Sequence, residues 1–310
     1  MKGQYTKLFL IGNGFDRWQG LPTSYGDFRQ YYFAHILEIT KELRIKTEVD
    51  DAGHLITPVE KILGNIFNPE ALPGEFFWNF ESSMALLDDQ NISLYFGKTD
   101  KGVYQMQETL NSALEILRKV FGDWIKSISI ADKDTGYRFD DSCYFINFNY
   151  TNTLEKRFQV DERNVNYIHG DFSDTESIVF GHSTHPEMAF PELMEQKFIH
   201  RVGGDKSKRF RELYLVEDAL YETDKQVQDN IDDLCEFMTI DGVHIEDITD
   251  IYVLGHSFGE PDYEYFEFLV KATQVGIDVN KLSALWQVRN IGLQNISEDE
   301  LFEWIHLNVI

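Results

Sequence analysis

The sequence predicts an α/β fold: a Rossmann-like, mostly parallel sheet carrying helical insertions. Three observations predict it. Short apolar runs of strand length recur along the chain and end in Gly, Asn or His-Gly. Amphipathic stripes of helical period separate them. The first run opens directly into a glycine turn, Gly12-Asn13-Gly14, the punctuation that brings a backbone close to a ligand in α/β sheets. With 310 residues, 43% of them hydrophobic, the chain can bury a full core as one α/β domain over 1–310.

The elements follow in order. Residues 6–11 form the first strand, and a long insertion of about 24–135 follows it. Within that insertion 25–43 reads as helical, whereas 49–67 has no clear period. Val103, Met106, Leu110, Leu114, Leu117, Phe121, Trp124 and Ile128 recur at spacings of three or four and mark an amphipathic helix. The segment reads as a helical cover for one side of the sheet. Strands are expected at 143–148, 165–168 and 178–180. A second, polar and acidic insertion of about 184–249 carries the stripe Leu220, Val227, Ile231, Leu234 and Met238, with its charges on a solvated face. A strand at 250–254 and a helix at 262–275 lead to a tail in which Ser297 and Glu300 form a candidate capping box.

Composition narrows the function. Against 28 basic residues stand 53 acidic ones, a net charge of −25. That field repels phosphate backbones and argues against direct nucleic-acid binding, but not against a small anion held by backbone N–H groups. Cys143 and Cys235 are the only cysteines, which excludes a four-cysteine zinc site and a disulfide framework. The start of the chain lacks a signal-peptide pattern, and no apolar run reaches membrane-spanning length. The expectation is a soluble, cytoplasmic protein without a membrane partner, and neither repeats nor low-complexity tracts interrupt it.

Four motifs carry possible chemistry. Gly12-Asn13-Gly14-Phe15-Asp16 lacks the third glycine of GxGxxG, since Arg17 stands there, so a tight turn without a ligand explains it as well. Asn149-Tyr150-Thr151-Asn152 closes the second strand. Asn149 could orient a water or a carboxamide, although Asn149, Thr151 or Asn152 could equally cap the next helix. His169-Gly170 closes the third, and its imidazole could work as a base near neutral pH. A lone histidine is more often structural. The fourth motif, Gly255-His256-Ser257-Phe258-Gly259, matches the GxSxG nucleophile elbow. Only His306 lies downstream to complete a triad on Ser257, in a cramped order. Histidine–glycine fragments around His169, His182 and His256 resemble pieces of calcineurin-type phosphoesterases, but the DxH and GNH[DE] those enzymes need are missing. No metal is expected.

Read together, Gly12, Gly14, Gly20 and Pro22 fall at the spacing of the sirtuin signature GAGxSxxxGxP, with Asp16 at the serine. Asn149-Tyr150-Thr151 resembles the sirtuin-like TNYD element with Thr151 at the aspartate, and His169-Gly170 and Val179-Phe180-Gly181 resemble its later motifs. No cysteine pairs follow, so the zinc module of the deacylases is absent. In the same order, Leu10–Asp16, Gly20–Tyr25, Phe148–Thr151, His169-Gly170 and Leu254–Gly259 resemble the bacteriophage abortive-infection AbiH family over about 6–268.

That resemblance implies an antiphage role, and its sirtuin-like part implies NAD as ligand or substrate. Gly12, Asn13, Gly14, Phe15, Asp16 and Tyr150 would line the pyrophosphate or ribose. Asn149 and His169 would be catalytic, and Gly255, Ser257 and Asp262 would hold the adenosine end. The alternative is a nucleotide-sensing module without turnover that signals to a partner protein. A homo-oligomer and a phage-derived trigger are the partners such a role suggests.

Overall fold

The computed structural model describes residues 5–50, 53–61, 100–131, 138–170, 178, 227–256 and 262–273. The chain divides into two compact units, one of Met1–Thr23, Ile125–Ile178 and Val227–Ile310, the other of Ser24–Trp124 and Val179–Gln226.

The first unit is built on a four-stranded sheet. Its strands are β1 (Lys7–Ile11), β4 (Cys143–Asn147), β5 (Val165–Tyr167) and β6 (Asp250–Leu254). They lie in the order β5-β4-β1-β6, and every adjacent pair is parallel. β1 occupies an interior position, with Leu8 in register with Tyr144 on one side and Ile251 on the other. An interior parallel strand is covered on both faces and therefore reads as an unbroken apolar run, as Leu8-Phe9-Leu10-Ile11 does.

The strand period of two divides those residues between two cores. Leu8 and Leu10 join Tyr144, Ile146, Ile251 and Val253 on one face. Helices α5 (Val227–Asp241) and α6 (Tyr263–Thr273) cover that face with Val227, Ile231, Leu234, Met238, Tyr265, Phe266 and Leu269. Phe9 and Ile11 join Phe145, Tyr252 and Leu254 on the other. There α1 (Asn13–Trp18) and α4 (Thr153–Phe158) contribute Phe15, Leu154 and Phe158.

Two expectations are corrected here. The residues after Gly12 do not form a simple tight turn: Asn13–Trp18 is a short helix with Gly12 as its N-cap. Burial decides this, because Phe15 packs 5.4 Å from the Phe158 ring and 5.8 Å from Trp18. Helix α5 carries the expected stripe, laying it on the sheet while Asp232, Asp233 and Glu236 face solvent. Ile178 is buried but not in a strand, and the remainder of the strand expected at 178–180 lies outside the described residues. So do Leu220, Ser297 and Glu300.

In the second unit, helix α2 (Tyr25–Glu42) opens with a capping box. The Asp27 N–H donates to Ser24 Oγ at 3.2 Å, and the Ser24 N–H donates to the Asp27 carboxylate at 2.9 Å. Phe28 of α2 packs 5.2 Å from Phe121 and 5.3 Å from Trp124, both on helix α3 (Asp100–Ser127). The span without clear period contains two short antiparallel strands, β2 (Glu48–Val49) and β3 (Leu55–Ile56).

The glycine turn after β1 is held by the turn after β6. The Gly12 N–H donates to the Leu254 carbonyl at 2.9 Å, and the Gly14 N–H to the Gly255 carbonyl at 2.7 Å. Gly255 sits at φ +68, and a Cβ there would fall 2.1 Å from the Phe15 nitrogen and 2.5 Å from the Gly14 carbonyl carbon. Gly20 shares the left-handed conformation at φ +76, but a Cβ at that position would meet nothing within 4 Å. Gly20→Ala should therefore cost only the left-handed strain of roughly 1–2 kcal/mol, and Gly255→Ala should cost at least about twice as much because backbone must move. Urea unfolding of the two variants checks the ranking; equal losses would mean the turn–turn contact is unimportant.

Candidate functional site

Parallel strands deliver their carboxyl ends to one edge of the sheet, and here each end carries one of the sequence motifs. β1 leads to Gly12, β4 to Phe148-Asn149-Tyr150-Thr151, β5 to Ile168-His169-Gly170 and β6 to Gly255-His256. Strands β1, β4 and β5 run outward to one side in chain order, and β6 is added on the far side of β1. The direction of winding thus reverses between β1 and β6, the place where open α/β sheets leave a crevice.

The turn after β4 is shaped by its own asparagines. Asn147 Oδ1 accepts the Asn149 N–H at 3.0 Å, an Asx turn that ends the strand. Asn149 is buried, and its Nδ2 donates to the Gly12 carbonyl at 3.0 Å. It therefore links the ends of β1 and β4. Asn152 is the N-cap of α4 but makes no side-chain capping bond.

Asp16 lies beneath this turn, only 1% exposed. Its Oδ2 accepts the Thr151 hydroxyl. Thr151 and Thr153 are 3.0 Å apart through their hydroxyl oxygens. Burial pushes the Asp16 carboxyl up to about 6, and Thr151, Thr153, the Arg157 charge and Asn149 pull the other way. Arg157 also donates to Gln19, to its backbone oxygen at 2.7 Å and to Oε1 at 3.0 Å.

On the far side of Asn149, two imidazoles share one carboxylate. His169 Nε2 is 3.5 Å from Asp262 Oδ1, and His256 Nε2 is 3.3 Å from Asp262 Oδ2. All three side chains are nearly buried. Phe148 packs edge-on against both rings, at 5.6 Å from His169 and 4.5 Å from His256, and stacks on Phe266 at 5.6 Å. Among the described residues no group of three or more His, Cys, Asp or Glu is arranged to hold a metal ion, the two imidazoles here addressing different carboxylate oxygens.

The family model described as bacteriophage abortive infection AbiH matches residues 8–280. The chain belongs to the AbiH family. No curated protein and no solved structure matches it. Membership links this AbiH chain to phage abortive infection, and no helix among its described residues is long and apolar enough to cross a membrane.

The AbiH chain brings its candidate residues together unevenly. Gly12, Gly14 and Phe15 are at the β1 end, but their N–H groups donate to Leu254, Gly255 and Gly12 carbonyls. Asn13 is exposed, with Nδ2 donating to the Thr23 carbonyl at 2.8 Å. Tyr150 is half-buried, 6.3 Å from the His169 ring. Asp262, assigned from the sequence to an adenosine end, sits beside His169. Ser257 and His306 lie outside the described residues, as do Asp171, His182 and Val179–Gly181. His256, Asn147, Thr153 and Arg157 were not among the site residues expected from the sequence. His256 had a signal, being the variable residue of the GxSxG match; Thr153 and Arg157 had none, as members of a helix that only packing turns toward Asp16.

Asp16 makes stability depend on pH with a definite sign. Its folded pKa, about 6 against an ordinary 3.8, means the folded chain binds this proton more tightly than the unfolded chain. The contribution is most favourable below about pH 4, is lost as pH rises toward 6, and above that stays a penalty of about 3 kcal/mol. Asp16→Asn removes the titration. The variant's unfolding free energy, relative to the parent's, should rise by about that amount between pH 4 and 7 in urea melts; a difference independent of pH would refute the assignment.

Proposed function

We propose that this AbiH protein binds NAD at the carboxyl edge of its first unit's sheet and hydrolyses it to nicotinamide and ADP-ribose, which would deplete the cofactor of an infected cell. The observation that carries the reading is His169, whose Nε2 lies 3.5 Å from the Asp262 carboxylate in a nearly dry aromatic setting at that edge. A carboxylate beside an imidazole favours the cation that forms when the base takes up a proton. The order β5-β4-β1-β6 also agrees with one half of the doubly wound sheets that bind dinucleotides.

A second support comes from the two departures from the sirtuin-like pattern. That pattern has a serine where Asp16 stands and an aspartate where Thr151 stands. In this chain the two residues hydrogen-bond to each other. The hydroxyl and the carboxylate thus stand in exchanged positions, and the two differences are coupled to each other.

The residues fit a ribosyl group better than a pyrophosphate cradle, because the N–H groups of Gly12, Gly14 and Phe15 are already engaged. In the reaction, the bond between the nicotinamide nitrogen and ribose C1′ breaks and its electron pair leaves with neutral nicotinamide. A water oxygen bonds to C1′, and its proton passes to the His169 imidazole. Asn149 has its Nδ2 on Gly12, which leaves the carboxamide oxygen to accept from that water. The glycines serve as the frame holding these groups.

One observation favours the alternative of a sensor without turnover: His169 and Asn149 are 2% and 4% exposed, so ligand binding would have to move them. Nicotinamide release from NAD by the purified chain separates the two. His169→Ala should lower the rate by about 100-fold or more and Asp262→Asn by a smaller factor. Tight binding with no release, in buffer or in phage-infected lysate, would overturn the hydrolase reading.

A further inference from the structure

Three buried polar atoms fall within eight residues of the β1 turn: Asp16 Oδ1, Gln19 Nε2 and Thr23 Oγ1. Their residues are 1%, 8% and 7% exposed, and none of the three atoms has a hydrogen-bond partner in the structure. A buried polar group left unsatisfied loses its bonds to water without replacement, so three in one short segment form a feature to be explained.

They belong to one locality. Asp16 and Gln19 are three apart across the end of α1, on the same face. The Leu21 N–H returns to the Asp16 carbonyl at 3.1 Å, and Asn13 Nδ2 pins the Thr23 carbonyl at 2.8 Å, which folds the following loop back along the helix. Arg157 bonds Gln19 through the carbonyl and Oε1 and faces Asp16 with its charge. The remaining capacity of each side chain is thereby defined. The Asp16 carboxylate has spent Oδ2 on Thr151 and keeps an acceptor. Gln19 has spent Oε1 on Arg157 and keeps a donor. Thr23 offers a hydroxyl.

That set selects a ligand by complementarity. A phosphate oxygen only accepts and would be repelled by Asp16; an ammonium only donates and cannot use the Gln19 amide. A hydroxyl does both, and a vicinal diol does both twice. We infer that Asp16, Gln19 and Thr23 form a site for the hydroxyls of a ribose, Asp16 accepting from one and Gln19 donating to it. The inference rests on the NAD reading above and deepens it, placing a sugar where the glycine turn by itself suggests phosphate.

The test measures ADP-ribose and NAD binding to the full chain by calorimetry, with Asp16→Asn, Gln19→Glu and Thr23→Val beside the parent. Gln19→Glu keeps an oxygen for Arg157 but exchanges the donor for a charged acceptor, so Gln19→Met, which removes the donor without adding charge, is measured beside it. Thr23→Val conserves shape, and thermal unfolding identifies any variant that fails to fold. ADP-ribose should bind about tenfold more weakly to Gln19→Glu and Asp16→Asn, and severalfold more weakly to Thr23→Val. Inorganic pyrophosphate should not compete at concentrations that saturate ADP-ribose binding. Folded variants with parental affinity, or a liganded crystal structure with only a water among the three atoms, would overturn the site while leaving NAD turnover standing. If the parent binds neither ligand, the site and the NAD reading fall together.

Discussion

The contact on which the rest of this structure depends is made by backbone alone. Gly12 and Gly14 leave β1 so close to Gly255 that a single Cβ at Gly14 or Gly255 would overlap main-chain atoms. Two N–H···O=C bonds then cross from one turn to the other. Interior parallel strands bring their ends within reach of each other, but only residues without side chains let them touch. The absence of side chains that would expose phosphate-binding amides in another protein serves here to join two strand ends.

From that junction the polar groups are placed in sequence. Asn149 reaches the Gly12 carbonyl and fixes the turn after β4. The same turn aims Thr151 at Asp16. On the other side, Gly255 delivers His256 and the chain entering α6 so that Asp262 stands between two imidazoles. Buried polar groups of this kind are stable only when nearly all are satisfied. The chain satisfies most of them internally.

Much of this fold was legible because the period of two and the period of 3.6 leave different marks. The run 7–11, the strand 250–254 and the stripe on α3 could each be read from spacing alone. The short helix at Asn13–Trp18 could not, since six polar and aromatic residues carry no period and only the packing of Phe15 on Phe158 decides their conformation. The stripe of helix α5 was legible as well. Its acids dominate the composition of the segment, but the sheet takes up only every third or fourth residue.

The sequence by itself determined that the chain is α/β, that its strands end in glycine, asparagine and histidine, and that it carries the ordered motifs of the AbiH family. Those are properties of spacing along one dimension. Only the tertiary structure decided what the motifs do to one another: that the two glycine turns consume each other's hydrogen bonds, that Asp16 and Thr151 are a pair, and that Asp262 belongs with His169. Pairs separated by more than ninety positions leave no trace in local pattern, because the parallel register that brings them together is set by the burial of both sheet faces and not by any residue of the pair.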